Sequence, residues 1–135
     1  MKIAICSSMV FAREIVQTKE DLEKRSHSVV VPDGVEKYVY GNINVEDKWE
    51  KLRFDPIKRY FGEIQNSDAI LALNYSKNGI ENYVGGNVLI EIAFAHVLDK
   101  RIYLLNPIPQ MAYSDEIEAM GPIIISGDLD KIVLK

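Results

Sequence analysis

Short apolar runs alternate with segments of helix length along this chain, the pattern of parallel strands joined by crossover helices. Lys2 through Cys6 predict the first strand. The stretch 10–24 predicts the helix after it, with Val10, Phe11, Ile15, Val16 and Leu22 set between charged residues. A second strand spans 28–31 and stops at Pro32-Asp33-Gly34, where a fixed φ beside a permissive glycine favours a turn. Residues 35–54 carry neither period. Their Tyr38, Tyr40, Gly41, Asn42 and Asn44, followed by a helical turn around Trp49, predict a covering loop.

From Asp55 the pattern is legible again. Asp55 is an N-cap with Pro56 at the first helical position, and the helix runs to about Asn66. A strand over 69–73 follows, with Asn74 and Tyr75 at its carboxyl end. Gly85-Gly86-Asn87 opens a helix to about Leu98. Then come a strand over 102–105, a turn at Asn106-Pro107, a short helix over 114–119 and a fifth strand over 123–125. The expected architecture is a single α/β domain over residues 1–135: one doubly wound, mainly parallel five-stranded sheet, flavodoxin- or Rossmann-like, with helices on both faces.

Composition narrows the classes of function. A chain of 135 residues buries about two-thirds of the surface it exposes unfolded, so no metal or disulfide staple is needed. One cysteine, Cys6, rules out an internal disulfide and suits a reducing compartment, so a cytoplasmic protein is expected. No apolar run approaches the roughly 20 residues of a membrane span, and the N-terminus has no signal-peptide core. A net charge of −4 with scattered basic residues offers no footprint for a nucleic-acid polymer. A small-molecule ligand is the partner expected.

In such a sheet, ligands bind outside the carboxyl ends of the strands, where loops meet helix N-termini. That restricts the candidates to the loop at Ser7 and Ser8, the turn at Asp33, the stretch 74–87 and the turn after Leu105. One titratable residue stands out beside them. The helix from Gly86 is apolar on nearly every side, which predicts burial, and only Glu91 and His96 interrupt it. An unpaired buried carboxylate costs several kcal/mol, so Glu91 must face a pocket or find a partner. Either it points to a solvent-facing edge, or a structural lysine or arginine pairs with it, or it serves a ligand. Glu91 lies four residues after Asn87, so both share one helical face near an end that attracts anions. Placed below a ribose ring, its carboxylate would stabilise charge at the anomeric carbon or attack that carbon. Glu91 is therefore expected to face a pocket with a raised pKa. Ser7, Ser8, Gly86 and Asn87 are expected to share one cavity.

The other candidates each have a plainer reading beside the functional one. Ser7 and Ser8 suit a phosphate, or an ordinary helix cap. Asp33 suits a ribose hydroxyl, or a turn. Tyr38, Tyr40 and Tyr75 suit base stacking, or packing with a wet hydroxyl, and of these Tyr75 is the favoured base contact. His27 and His96 have no metal spacing with Cys6, and His96 lies about 140° around the helix from Glu91. No metal or cofactor is expected, and Cys6 reads as a buried structural thiol.

The segment Gly85-Gly86-Asn87-Val88-Leu89-Ile90-Glu91-Ile92-Ala93-Phe94-Ala95, with Lys100-Arg101-Ile102-Tyr103-Leu104-Leu105 after it and Asp68-Ala69-Ile70-Leu71-Ala72-Leu73 before it, resembles the nucleoside 2-deoxyribosyltransferase superfamily. That resemblance implies a glutamate nucleophile at Glu91. It also implies a reaction at an N-glycosidic bond, either base exchange or hydrolysis of deoxynucleoside 5′-monophosphates, and assembly as a homodimer or higher homo-oligomer. Substrate contacts would fall at Ser7, Ser8, Asp33, Asn74, Tyr75, Gly85, Gly86 and Asn87. Three features depart from the family pattern. Gly86-Asn87 stands where Gly-Thr is usual, Val84-Gly85 where an aspartate precedes the glycine, and Cys6-Ser7-Ser8 where the first loop is richer in glycine. Glu81 or Asn82 would have to replace that aspartate. The serine loop and the missing aspartate favour hydrolysis over transfer.

Two other functions fit the same residues. Gly85-Gly86 to Glu91 also looks like the motif of lysine-decarboxylase-like nucleoside monophosphate phosphoribohydrolases. A non-catalytic nucleotide-binding or sensor module would use the same pocket. The loop 107–113, with Ile108, Pro109, Met111 and Ala112, is apolar enough to predict packing against a second subunit.

Overall fold

The computed structural model describes residues 1–40 and 55–133. Its five strands are β1 (Lys2–Cys6), β2 (Ser28–Val30), β3 (Ala69–Ala72), β4 (Arg101–Leu104) and β5 (Ile123–Ile124). They form one sheet in the order β2-β1-β3-β4-β5, with every adjacent pair parallel. The helices are α1 (Ala12–Glu23), preceded by a 3₁₀ turn at Met9–Phe11, α2 (Val35–Tyr40), α3 (Pro56–Gln65), α4 (Gly86–Val97) and α5 (Ser114–Ala119). This is the doubly wound α/β architecture that the alternation of runs predicts. Among the described residues, no helix is long and apolar enough to cross a membrane.

Period-2 alternation in the strands divides the core into two layers. Ile3, Ile5, Ala69, Leu71 and Tyr103 pack with Ala12, Ile15 and Leu22 of α1 and Val35 of α2. Ala4, Cys6, Ile70, Ala72, Ile102 and Leu104 pack on the other face with Tyr60 and Ile64 of α3, Val88, Ile92 and Ala95 of α4, and Ile117 of α5. The central strands are therefore apolar without interruption, because both their faces are covered. The edge strands β2 and β5 are short, which limits the unpaired backbone the sheet presents.

Two expectations need correction. Residues 35–40 form α2 rather than loop, because Val35 has a place in the core that local periodicity does not reveal; the remainder of the expected covering loop, including Trp49, lies outside the described residues. Helix α4 is not buried all round. Val88, Ile92 and Ala95 face the sheet while Ile90 and Val97 are exposed, Val97 at 79%. A helix laid on one face of a sheet buries a stripe, however apolar the rest of it. The apolar loop 107–113 is partly covered by its own chain, with Pro107 and Ala112 exposed. Pro109 is buried, and Ile108 and Tyr113 pack against the α4 side of the core. Ser114 Oγ also binds the Pro109 and Met111 carbonyls.

Candidate active site

The connection from β1 leaves the sheet in one direction and the connection into β3 returns on the other side, so the carboxyl ends of β1 and β3 flank a crevice that no crossover fills among the described residues. A cavity of about 580 Å³ opens there. Ser7 and Ser8 reach it from the end of β1, Asp33 and Gly34 from the turn after β2, and Tyr60 and Glu63 from α3. Lys77 comes from the loop after β3, and Gly85, Gly86, Asn87 and Glu91 from the start of α4. Seven of the nine candidate residues, all but Asn74 and Tyr75, therefore line a single cavity. Tyr38 of α2 lines it as well.

Helix α4 begins at Gly85, which has extended backbone (φ −78°, ψ 172°) and no side chain to cap the first turn. The first N–H groups of α4 are left for water or a ligand. Two turns of the 88/92/95 stripe face the sheet, and Glu91, one step off that stripe, sits at the border between core and cavity. Glu91 is half-buried and meets solvent through the cavity. Among the described residues its carboxyl has no hydrogen bond or ion pair. Burial alone raises its pKa from 4.5 to about 8. That is the consequence of placing an acid where only its neutral form is well solvated. The Cys6 thiol, fully buried, has a pKa raised first by desolvation and then by the nearby Glu91 charge, and the Tyr60 hydroxyl has one raised first by desolvation and then by Cys6 and Glu91.

The cavity wall is otherwise well tied together. Ser7 Oγ lies 3.4 Å from the Leu73 carbonyl, so the loop after β1 is joined to the end of β3. Ser8 caps the 3₁₀ turn by accepting from the Val10 N–H at 3.5 Å, and also accepts from the Lys77 ammonium at 3.1 Å. The Tyr60 hydroxyl donates to the Ile5 carbonyl, with the Val30 carbonyl 3.3 Å away, and holds α3 over the ends of β1 and β2. Asp33 pairs with Arg59 of α3 at 2.9 Å, both side chains well exposed.

Asn74 and Tyr75 lie elsewhere. Asn74 is fully buried and ties the loop after β3 to the loop after β4 by hydrogen bonds to Asn82, Asn106 and Pro107. Tyr75 turns to the α1 side of the sheet, its ring 5.1 Å from that of Phe11. Consecutive residues leaving a strand point to opposite sides, and both of these were taken up by packing. Glu81 and Asn82 do not line the cavity, so neither stands in for the aspartate of the resembled family; among the described residues, the other carboxyls that reach it are Asp33 and Glu63. Among the described residues, no group of three or more His, Cys, Asp or Glu side chains is placed to hold a metal ion.

Sequence reasoning missed Lys77, Arg59, Tyr60, Glu63 and Tyr83 as cavity residues. For Lys77 a signal existed: Asn78-Gly79 is the strongest short hairpin motif, and it places the residue before it at the base of a rigid turn. For Tyr60 and Glu63 there was none, since only the packing of α3 decides which of its sides meets the cavity. Neither a scan against protein-family models nor a search of curated proteins finds a match for this chain.

Proposed function

We propose that this chain cleaves the N-glycosidic bond of a (deoxy)nucleoside or nucleoside 5′-monophosphate, with Glu91 as the nucleophile and water, or a second base, as the acceptor. The observation that supports this best is the Glu91 carboxyl, without a partner among the described residues, facing a cavity at the switch point of the sheet. A carboxyl whose pKa is raised by burial beside a cleft has a physical rationale as a functional group.

The two steps balance simply. A Glu91 carboxylate oxygen bonds to the anomeric carbon as the bond to the base breaks, and the base leaves with the electron pair and takes up a proton. Water then attacks the same carbon, the ester bond breaks, and the carboxylate is restored, with net retention at the anomeric centre. Only the ionised form attacks. With a pKa of about 8, roughly a tenth of the empty sites carry it at pH 7. Positive charge developing on the sugar favours that form. The serine loop and the absence of a family-type aspartate favour water as acceptor, and the reduced Cys6 suits a cytoplasmic setting.

The test is incubation with a panel of ribo- and deoxyribonucleosides and their 5′-monophosphates, followed by chromatography for free base. Release of base that Glu91→Gln abolishes supports the assignment. Tight binding with no release from any of them overturns it in favour of a sensor module. Release of base together with ribose 5-phosphate from ribonucleotides alone favours the phosphoribohydrolase reading.

A further inference from the structure

Lys77 is held in place by its own backbone. The segment Lys77-Asn78-Gly79-Ile80 closes a two-residue hairpin, with the Lys77 N–H bonded to the Ile80 carbonyl at 3.1 Å and the Ile80 N–H to the Lys77 carbonyl at 3.0 Å. Asn78 (φ 55°) and Gly79 (φ 75°) both occupy the left-handed region, as tight hairpin turns with two positive φ angles require. The lysine therefore projects from a rigid stem. Its ammonium donates to Ser8 Oγ at 3.1 Å, across 69 residues of sequence, and lies 5.8 Å from the centre of the Tyr83 ring.

A lysine this close to the protein usually finds a carboxylate. Among the described residues Lys77 forms no ion pair. One of its three N–H donors goes to Ser8, which leaves two for the cavity it lines. Ser8 Oγ accepts from both Lys77 and Val10, so its own proton is free to donate. The uncapped N–H groups at Gly86 and Asn87 border the same cavity. A cation, a hydroxyl and backbone donors thus line one space, and the acceptor that answers all three is a tetrahedral oxyanion.

We propose, resting on the glycosidic reading, that Lys77 is the specificity-determining residue for a phosphate monoester on the sugar. Its ammonium takes one phosphoryl oxygen and Ser8 donates to another, so that nucleoside 5′-monophosphates are selected over nucleosides. Tyr83 keeps the ammonium at the cavity wall when no anion is bound.

The experiment compares kcat/KM for the four 2′-deoxynucleoside 5′-monophosphates and the four deoxynucleosides in the wild type, Lys77→Met and Lys77→Arg. Calorimetric titration of all three proteins with the same monophosphates runs beside it. Met matches the length and apolar stem of lysine without its charge. The expected result is a wild-type preference for monophosphates that Met narrows by about 10- to 100-fold, the worth of one charge-assisted hydrogen bond, chiefly through KM, and that Arg partly restores. A wild type without that preference, or a Met variant that loses activity equally on both substrate classes, overturns the assignment. If no substrate releases base but the monophosphates still bind and Met weakens them by the same factor, the glycosidic reading fails and the role of Lys77 stands. Binding that Met leaves unaltered overturns that role whatever the turnover.

Discussion

Asn74 and Asn106 bind each other in both directions. The Asn106 N–H reaches Asn74 Oδ1 at 2.8 Å, and Asn106 Nδ2 reaches the Asn74 carbonyl at 3.1 Å. The Asn74 amide answers with donation to the Asn106 carbonyl at 2.9 Å. With Asn74 fully buried, this pair joins the loops leaving β3 and β4, and so steadies the stretch that carries Lys77 and leads into α4. Asn74→Ala leaves several buried backbone groups without partners, and a loss of about 2–4 kcal/mol is expected. Urea unfolding measures it. A loss below about 0.5 kcal/mol would show that water replaces the amide.

Glu91→Gln keeps the shape of the side chain and removes the proposed nucleophile. Turnover should fall by at least about 10³-fold, with substrate affinity nearly unchanged. In the wild type, a 2-fluoro-deoxyribosyl nucleotide should leave a sugar ester on Glu91 that intact-protein mass spectrometry detects. An active wild type without the adduct removes the covalent step.

The same residue makes stability depend on pH in a definite direction. Its pKa is 4.5 when solvated and about 8 in the fold, so between those values the folded protein holds a proton that the unfolded chain has released. Stability contributed by this group is complete below about pH 4.5, declines as pH rises, and levels off above about 8. The ceiling on the loss is about 5 kcal/mol, and access to water through the cavity reduces it. Subtracting the pH profile of Glu91→Gln from that of the wild type isolates the effect. A difference that stays flat from pH 5 to 9 would place the carboxyl in water.

Activity should run the opposite way. With the carboxylate as the proposed nucleophile, kcat/KM should climb with pH through about 8 and then level, reporting the free enzyme. Were Glu91 instead to donate its proton to the leaving base, the same profile would fall across that range. One pH–rate series separates the two roles.

Asp33 and Arg59 offer a contrast. Their 2.9 Å pair is well exposed, and such pairs contribute about 0–1 kcal/mol. Asp33→Asn should therefore leave the urea midpoint nearly where it was. If Asp33 accepts from a sugar hydroxyl, KM rises about 3- to 10-fold at constant kcat. An unaltered KM would leave Asp33 with its turn and its arginine.

The alternation of apolar runs determined the five strands, their parallel sense and the edge at which the cavity opens, because parallel strands buried on both faces must be apolar and their crossovers must be helical. Glu91 was legible for a related reason: a lone acid in an apolar helix is conspicuous whatever surrounds it. Asn74 and Tyr75 show where that reasoning ends. Placing them at the end of β3 was correct, yet which side each takes follows from partners far away in sequence, Asn106 for one and Phe11 for the other. Lys77 lies in the same loop, and only the approach of β1 to β3 brings Ser8 within 3.1 Å of it. Helix α2 formed where the local pattern read as loop, because the core had room for Val35. Local periodicity reports what a segment can bury; contacts across 30 to 70 residues of chain, such as Asn74 with Asn106 at 32 and Ser8 with Lys77 at 69, exist only once the sheet has brought their strands together.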